Sequence, residues 1–392
     1  MRARYYGCVI AAALIAPGIA HAQEQTRASV DVAPGVGYSS NPFSGTGSNL
    51  ASGYAALDVT PRFELLMPQD TLTVTGNASL QKYFTNYADA TSYRVSTDYR
   101  GRPSERVNTH MRVDLTSAII GAYDSVGGAI EPGVPSPTDL ALFGTRDRRR
   151  GVYATGDFDA ALSARDSISA SVFYEIARYR RFADISDYDG LGSTFSYNRQ
   201  LSGNTRIGAQ GAVSRYDYRG ARGRTNVYTI SATASTKLNE YWTVDGSLGV
   251  SFVNSSSTGS TGKASPSGNI NLCRQGPLSN FCITGSRSVR PTGFNGSQYV
   301  NSIGANWSRK LSEFTTLSAR ALYTTEGGSQ SALVPGIRAQ YLTTSATYER
   351  RLSERLRLTA TGQYRQIFAS SLNRPADYGG RLGLSYRFGD PR

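Results

Sequence analysis

Histidine, cysteine and tryptophan are nearly missing from this chain of 392 residues, with two, three and two copies. Without more histidine, most acid–base catalysis and most metal centres have no side chains to work with. His21 falls in the leader described below. His110 is then the only imidazole left, flanked at two-residue spacing by Asn108 and Arg112. No His/Cys cluster has metal-ligand spacing. No glycine-rich loop joins a strand to a helix as a phosphate cradle would require. The residues predict no enzyme, no metal and no cofactor. Long hydrophobic runs are missing too, so no segment can cross a bilayer as a helix. Hydrophobic residues make up 39% of the chain. That is too few for several stacked cores, but enough for a shell with one apolar face.

The N-terminus has the layout of a secretory signal. Arg2 and Arg4 are followed by the apolar run from Cys8 to Ala16 and the small-x-small site Ala20-His21-Ala22. Residues 1–22 are therefore expected to be a signal peptide and residues 23–392 a single domain. Cys8 lacks the small-residue surroundings of a lipoprotein site. An exported chain retains Cys273 and Cys282 in an oxidising compartment, where they form either a disulfide clip on a surface loop or two exposed thiols. The formal charge of +13 falls by two to +11 without Arg2 and Arg4. A basic exported protein suits anionic partners such as acidic polysaccharide or lipopolysaccharide phosphate, not nucleic acid.

What is abundant is alternation. In Tyr378–Phe388, Leu382, Leu384, Tyr386 and Phe388 share one face of an extended strand, and Arg381, Gly383, Ser385 and Arg387 share the other. Ala55–Leu65 sets Leu57, Val59 and Phe63 against Asp58, Thr60, Arg62 and Glu64. Val107–Thr116 sets Val107, Met111, Val113 and Leu115 against Asn108, His110, Arg112, Asp114 and Thr116. Similar stretches recur along the whole chain. They predict an all-β, transmembrane, antiparallel up-and-down β-barrel of about 16 strands (14–18), its apolar face toward lipid and its polar face toward a lumen. Two stretches without a period, about 117–147 and 254–296, are expected to be large loops. The alternation places Arg62, Arg94, Arg100, Arg112, Arg320, Arg357, Arg365, Arg381 and Arg387 inward with Asp58, Asp98 and Asp114. Inward arginines favour anions by electrostatic focusing; with facing carboxylates they only hydrate the interior. Tyr38, Phe63, Phe158, Tyr174, Trp242, Trp307, Tyr364, Tyr386 and Phe388 fall outward, as interfacial anchors would.

Five turns share the pattern x-Leu-(Ser/Asn)-x-x: Ala161–Arg165, Gln200–Asn204, Lys237–Tyr241, Lys310–Phe314 and Arg351–Arg355. Ser and Asn support tight turns by bonding the nearby backbone. Short turns at one end and long loops at the other are the polarity of a barrel with periplasmic turns and extracellular loops.

Arg381-x-Gly383-x-x-Tyr386-x-Phe388 resembles the terminal signal read by the outer-membrane barrel insertion machinery, with four residues following the last aromatic. The opening Ala33–Phe43, the Arg/Lys-Leu-Ser-Glu turns and the closing Arg-Leu-Gly-Leu-Ser-Tyr-Arg-Phe resemble outer-membrane β-barrel porins of the second type. Such porins are often associated with capsule or exopolysaccharide gene clusters. The resemblance implies a channel in the outer membrane of a Gram-negative bacterium, set among lipid and lipopolysaccharide. It further implies passage of acidic polysaccharide or anionic saccharides, with a periplasmic export component as partner. A general or solute-specific diffusion porin, or a structural or adhesive barrel with a closed lumen, would share the same pattern.

Overall fold

A strand that is apolar on one face and polar on the other is satisfied when the sheet closes on itself, because closure leaves no unpaired edge to bury in lipid. The computed structural model describes residues 25–120, 146–180, 186–219, 223–256, 260–291, 297–327, 339–369 and 374–390, and the sheet it shows is closed. The expected signal peptide, 1–22, lies outside the described residues.

In chain order the strands are β1 (Gln25–Ser39), β2 (Ser52–Leu66), β3 (Asp70–Tyr83), β4 (Ala90–Ser104), β5 (Val107–Ile119) and β6 (Arg148–Ala161). Next come β7 (Asp166–Tyr179), β8 (Tyr188–Gln200), β9 (Thr205–Tyr218), β10 (Arg224–Lys237), β11 (Trp242–Ser255) and β12 (Ser260–Gln275). The last six are β13 (Ser279–Pro291), β14 (Ser297–Ser312), β15 (Thr315–Gly327), β16 (Ala339–Arg351), β17 (Leu356–Ala369) and β18 (Asp377–Gly389). Every strand pairs antiparallel with its neighbours in sequence. β18 returns to β1 with Val36 opposite Leu382 and Asp31 opposite Arg387. Strands of 13 to 16 residues exceed the 9–11 or so that a tilted strand needs to cross a hydrocarbon layer.

The structure has 18 strands where the alternation predicts about 16. The extra pair, β12 and β13, lies inside the stretch 254–296 expected to be a loop. Its apolar positions are sparse: Ile270 and Leu272 on β12, Phe281, Ile283 and Val289 on β13, among Ser, Gly, Asn and Thr. So weak an alternation carries little signal by itself. It becomes strand because flanking strands β11 and β14 offer ladders to complete. The loop expected at 117–147 is shorter as well, since β5 continues to Ile119 and β6 starts at Arg148. Residues 121–145 lie outside the described residues.

The two ends of the barrel differ. At one end the connections (67–69, 105–106, 162–165, 201–204, 238–241, 276–278, 313–314 and 352–355) have two to four residues. At the other they run from four residues (256–259) to 28 (120–147). In the Ser163, Ser202 and Ser353 turns, the hydroxyl accepts the backbone N–H two and three residues on; Asn239 does the same with its side-chain oxygen.

Cys273 and Cys282 are joined by a disulfide, directly opposite each other on β12 and β13. The bond is therefore not on a long loop. It lies beside the short connection 276–278, on the inner face of the wall. The ring it closes is small, and the entropy model gives about 2–3 kcal/mol for such a ring. Cys273→Ser with Cys282→Ser is expected to lower the urea-unfolding free energy by that much in lipid vesicles, with the folded band retained on a gel run without boiling. A loss of the folded band would show that the bond holds the hairpin together outright.

Candidate functional site: the inner wall

The register divides every strand into two faces. Leu57, Phe63, Leu80, Val95, Met111, Val172, Leu191, Ile230, Leu248, Ile303, Leu382 and Leu384 all lie on the outer face and are 39–75% exposed. Apolar side chains so bare need a non-aqueous surrounding. Tyr38, Phe63, Phe158, Tyr174, Trp242, Trp307, Tyr364, Tyr386 and Phe388 fall on that face too. The face opposite is mostly Ser, Thr, Asn, Gln, Gly, Tyr and charge, with Val227, Val253, Val300, Leu322 and Ile367 buried on it toward the loop end.

All nine arginines expected inward lie on this inner face, and eight of them are tied to a carboxylate. Arg62 bonds Glu64; Arg94 and Arg112 share the buried Asp114; Arg100 bonds Asp98 at 3.0 Å. Arg357 bonds Glu349 at 3.2 Å, Arg365 bonds Asp377, Arg381 bonds Asp58 and Arg387 bonds Asp31. Arg320 also has a partner. The arginines of β17 and β18 do not form one cluster. Arg365 is at the loop end, Arg381 midway, and Arg357 and Arg387 at the turn end, where they line a cavity of ≈ 820 Å³. Strand alternation brings residues to a face; it does not bring them to one height.

Two glycines make these contacts possible. The Arg381 side chain crosses β1 to reach Asp58 on β2, and it does so over Gly35, where a Cβ would stand 2.9 Å from Arg381 Nε. The Tyr54 ring lies on Gly37 in the same way. His110 sits between two carboxylates, with Nε2 2.8 Å from Asp98 and Nδ1 3.1 Å from Asp157. Both ring nitrogens are occupied, and no serine, threonine or cysteine is hydrogen-bonded to the ring among the described residues.

The loop end is narrowed by aromatics that sequence reading missed. The segment 40–51 turns back on itself, with Ser44, Gly47 and Asn49 at positive φ. It delivers Phe43 onto Tyr83 and Tyr87, with ring centroids 5.4 and 5.1 Å apart, and Tyr54 packs on Tyr83. The Arg146 guanidinium stands 4.7 Å from the Phe43 ring centre, a cation–π contact. Burial raises the Tyr87 hydroxyl above its ordinary pKa, with Arg146 opposing and Asp377 adding to the rise. The hydroxyl stays protonated and donates to the Leu50 carbonyl at 2.7 Å.

Beneath this segment is a buried anchor. Arg365 and Asp377 are 2% and 1% exposed. Asp377 also accepts from the Ser39 hydroxyl and, at 3.0 Å, from the Asn41 N–H, while Arg365 donates to the Pro42 carbonyl at 3.0 Å. Asn41 closes the turn with bonds to Gly45 and Pro375.

Across the lumen, Tyr188 packs on Tyr216 and Tyr218, and its hydroxyl donates to Glu175, as does the buried Arg149. β12 and β13 stop pairing with each other beyond Gly268 and Arg287. Arg287 bridges the split by donating to the Pro266 carbonyl at 2.9 Å. Above it β13 leans inward: Val289 packs on the cluster around Tyr188, and Arg290 lies within electrostatic range of Tyr153 and Tyr216. The inward register of Tyr54, Tyr83, Tyr188 and Tyr216 was a readable signal. The lean of β13 was not, because it follows from where a ladder ends.

No family model and no curated protein sequence matches the chain. Solved structures do resemble it in outline. OccK2 (OpdF) of Pseudomonas aeruginosa, crystallised with glucuronate, is 10% identical over 93% of this chain and 98% of its own, with a TM-score of 0.47. OccAB2 of Acinetobacter baumannii is 8% identical over 93% and 98%, TM-score 0.48. A BenF-like porin from Pseudomonas fluorescens Pf-5 is 10% identical over 93% and 99%, TM-score 0.47. At these identities the likeness assigns no function, and the barrel stands on this chain's own strand register.

Proposed function

We propose that this chain is an outer-membrane channel for small polar solutes, with its turns toward the periplasm and its long connections toward the exterior. The observation that carries the reading is the sorting of the wall: exposed apolar side chains outside, and inside a largely polar face on which eight arginines are paired with carboxylates. A closed sheet with that sorting separates lipid from water, and a hydrated, charge-paired interior suits passage rather than chemistry. The exported, outer-membrane location inferred from the leader and the C-terminal motif belongs to the same reading.

Conductance of the refolded barrel in a planar bilayer tests it. Discrete conductance steps are expected, with weak ion selectivity, because the inner arginines are neutralised by neighbouring carboxylates. Asp58→Asn releases Arg381 from its partner and is expected to shift the reversal potential in a salt gradient toward anions. A verified folded barrel that conducts nothing would sink the channel reading and leave a structural or adhesive barrel. The narrower reading, passage of acidic polysaccharide or anionic saccharides, rests on the number of inward arginines, and their pairing with carboxylates weighs against it. It requires that an acidic oligosaccharide block the current, and that Arg357→Ala with Arg381→Ala weaken the block.

A further inference from the structure

The outer face of the wall carries charge as well as apolar side chains, and at the loop end that charge is concentrated on one side. Arg148 and Arg150 on β6, Arg178 on β7, Arg215 on β9 and Arg224 on β10 lie at outward register positions there, and Arg180 and Arg219 directly follow the last residues of β7 and β9. Set against these seven arginines are three aspartates. Asp217 bonds Arg215 and Arg224 at 2.8 and 2.9 Å. Asp189 bonds Arg178 and, at 3.4 Å, Arg219, while Asp187 stands 3.9 Å from Arg178.

Arg148, Arg150 and Arg180 have no carboxylate at ion-pair distance among the described residues. Arg148 lies flat across β5, donating to the Ser117 hydroxyl at 3.0 Å and to the Thr91 carbonyl and hydroxyl at 2.8 and 3.0 Å. It also feels the like charges of Arg150 and Arg180. Arg148 and Arg150 stand two residues apart on one face of β6, Arg180 follows Tyr179, which pairs with Arg149, and Arg150 and Arg180 are exposed. Just below them the surface changes to Tyr93 and Tyr174, 50% and 42% exposed, and then to the apolar band. That is the level at which headgroups meet acyl chains. At the turn end the outward arginines Arg199, Arg274, Arg309 and Arg350 are instead spread over β8, β12, β14 and β16.

We propose that Arg148, Arg150 and Arg180 form a binding site for the phosphate groups of a phosphorylated glycolipid in the outer leaflet, its acyl chains lying on the outer face of β5–β8. Guanidinium groups bind phosphate by paired, charge-assisted hydrogen bonds, and a dianionic phosphate supplies the negative charge that no described carboxylate brings to these three arginines. The neighbouring aspartate–arginine pairs are satisfied internally and flank the site. The inference rests on the outer-membrane orientation proposed above.

The test is the dissociation constant of purified barrel in detergent for fluorescent diphosphoryl lipid A, with conductance recorded on the same preparation. Arg148→Gln with Arg150→Gln and Arg180→Gln is expected to weaken binding at least tenfold, leaving the folded band on an unboiled gel and the conductance unchanged. Enzymatically dephosphorylated lipid A should bind the native barrel at least tenfold more weakly, and inorganic phosphate should compete only at millimolar concentration. The proposal is overturned by equal affinity of the triple variant, by equal affinity for the dephosphorylated lipid, or by an equal loss in the turn-end variant Arg274→Gln with Arg309→Gln. Competition by inorganic phosphate as strong as by the lipid would also overturn it, since the site would then be one for free phosphate. If the barrel binds the lipid as expected but never conducts, the channel reading fails while this one stands. If it conducts but binds the triple variant and native barrel alike, only this one fails.

Discussion

Replacing Arg365 by alanine is expected to lower the free energy of unfolding in lipid vesicles by about 3–5 kcal/mol, and to release the segment 40–51 from the loop end of the lumen. The size follows from what is left behind. Asp377 is 1% exposed and relies on Arg365 for the charge that offsets its desolvation. Ser39 and Asn41 supply hydrogen bonds but no charge. An isolated buried carboxylate either stays ionised at high cost or takes up a proton, and a proton on the oxygen facing Ser39 or Asn41 displaces one of those bonds. The segment then loses Arg365 under the Pro42 carbonyl as well. Two measurements separate the effects: urea unfolding reports stability, and protease cleavage between Ser44 and Asn49 reports release. Arg365→Ala with Asp377→Ala removes both charges and should regain part of the stability but not the protease resistance. Stability within about 1 kcal/mol of the native barrel, the scale of a surface pair, would mean that the pair is not a buried anchor at all.

Leu248→Arg is expected to destabilise the barrel in vesicles by about 2–4 kcal/mol, while Ser247→Arg, one residue earlier, costs about 1 kcal/mol or less. The two positions are adjacent on β11, midway along the strand, and differ only in the face they occupy. Leu248 is 75% exposed on the outer face, opposite Ala232 and Gly268, so its arginine must stand in hydrocarbon. Ser247 faces inward beside Asn269 and Thr233, where an arginine meets water and side-chain oxygens. Reversible urea unfolding of the two variants gives the difference directly. Equal costs would mean that the outer face does not lie in lipid, and the closed sheet would then have to be explained as a soluble barrel.

Alternation made most of the wall legible because a strand's two faces follow from residue parity alone. Arg62, Arg112 and Arg387 could be assigned to the inner face without knowing any neighbour. Their partners could not. Asp31 is 356 residues from Arg387 and Asp58 is 323 residues from Arg381, so these pairs exist only once β18 closes on β1. That closure makes the arginines on β17 and β18 a set of neutralised pairs at three heights. β12 and β13 were illegible for the opposite reason. Their own pattern is weak, and what makes them strands is the ladder offered from either side.

The sequence by itself determined the kind of wall: period two, apolar outside and polar inside, with five of the short turns marked by a Leu-Ser or Leu-Asn step. Those features depend on residues near one another along the chain, and local chemistry suffices to specify them. Tertiary structure decided the number of strands, the partner of each inner arginine, the placing of Phe43 and Tyr54 across the loop end, and the gathering of Arg148, Arg150 and Arg180 on one flank. Each of these depends on which strands become neighbours and at what height they meet, and that is settled only when the sheet closes.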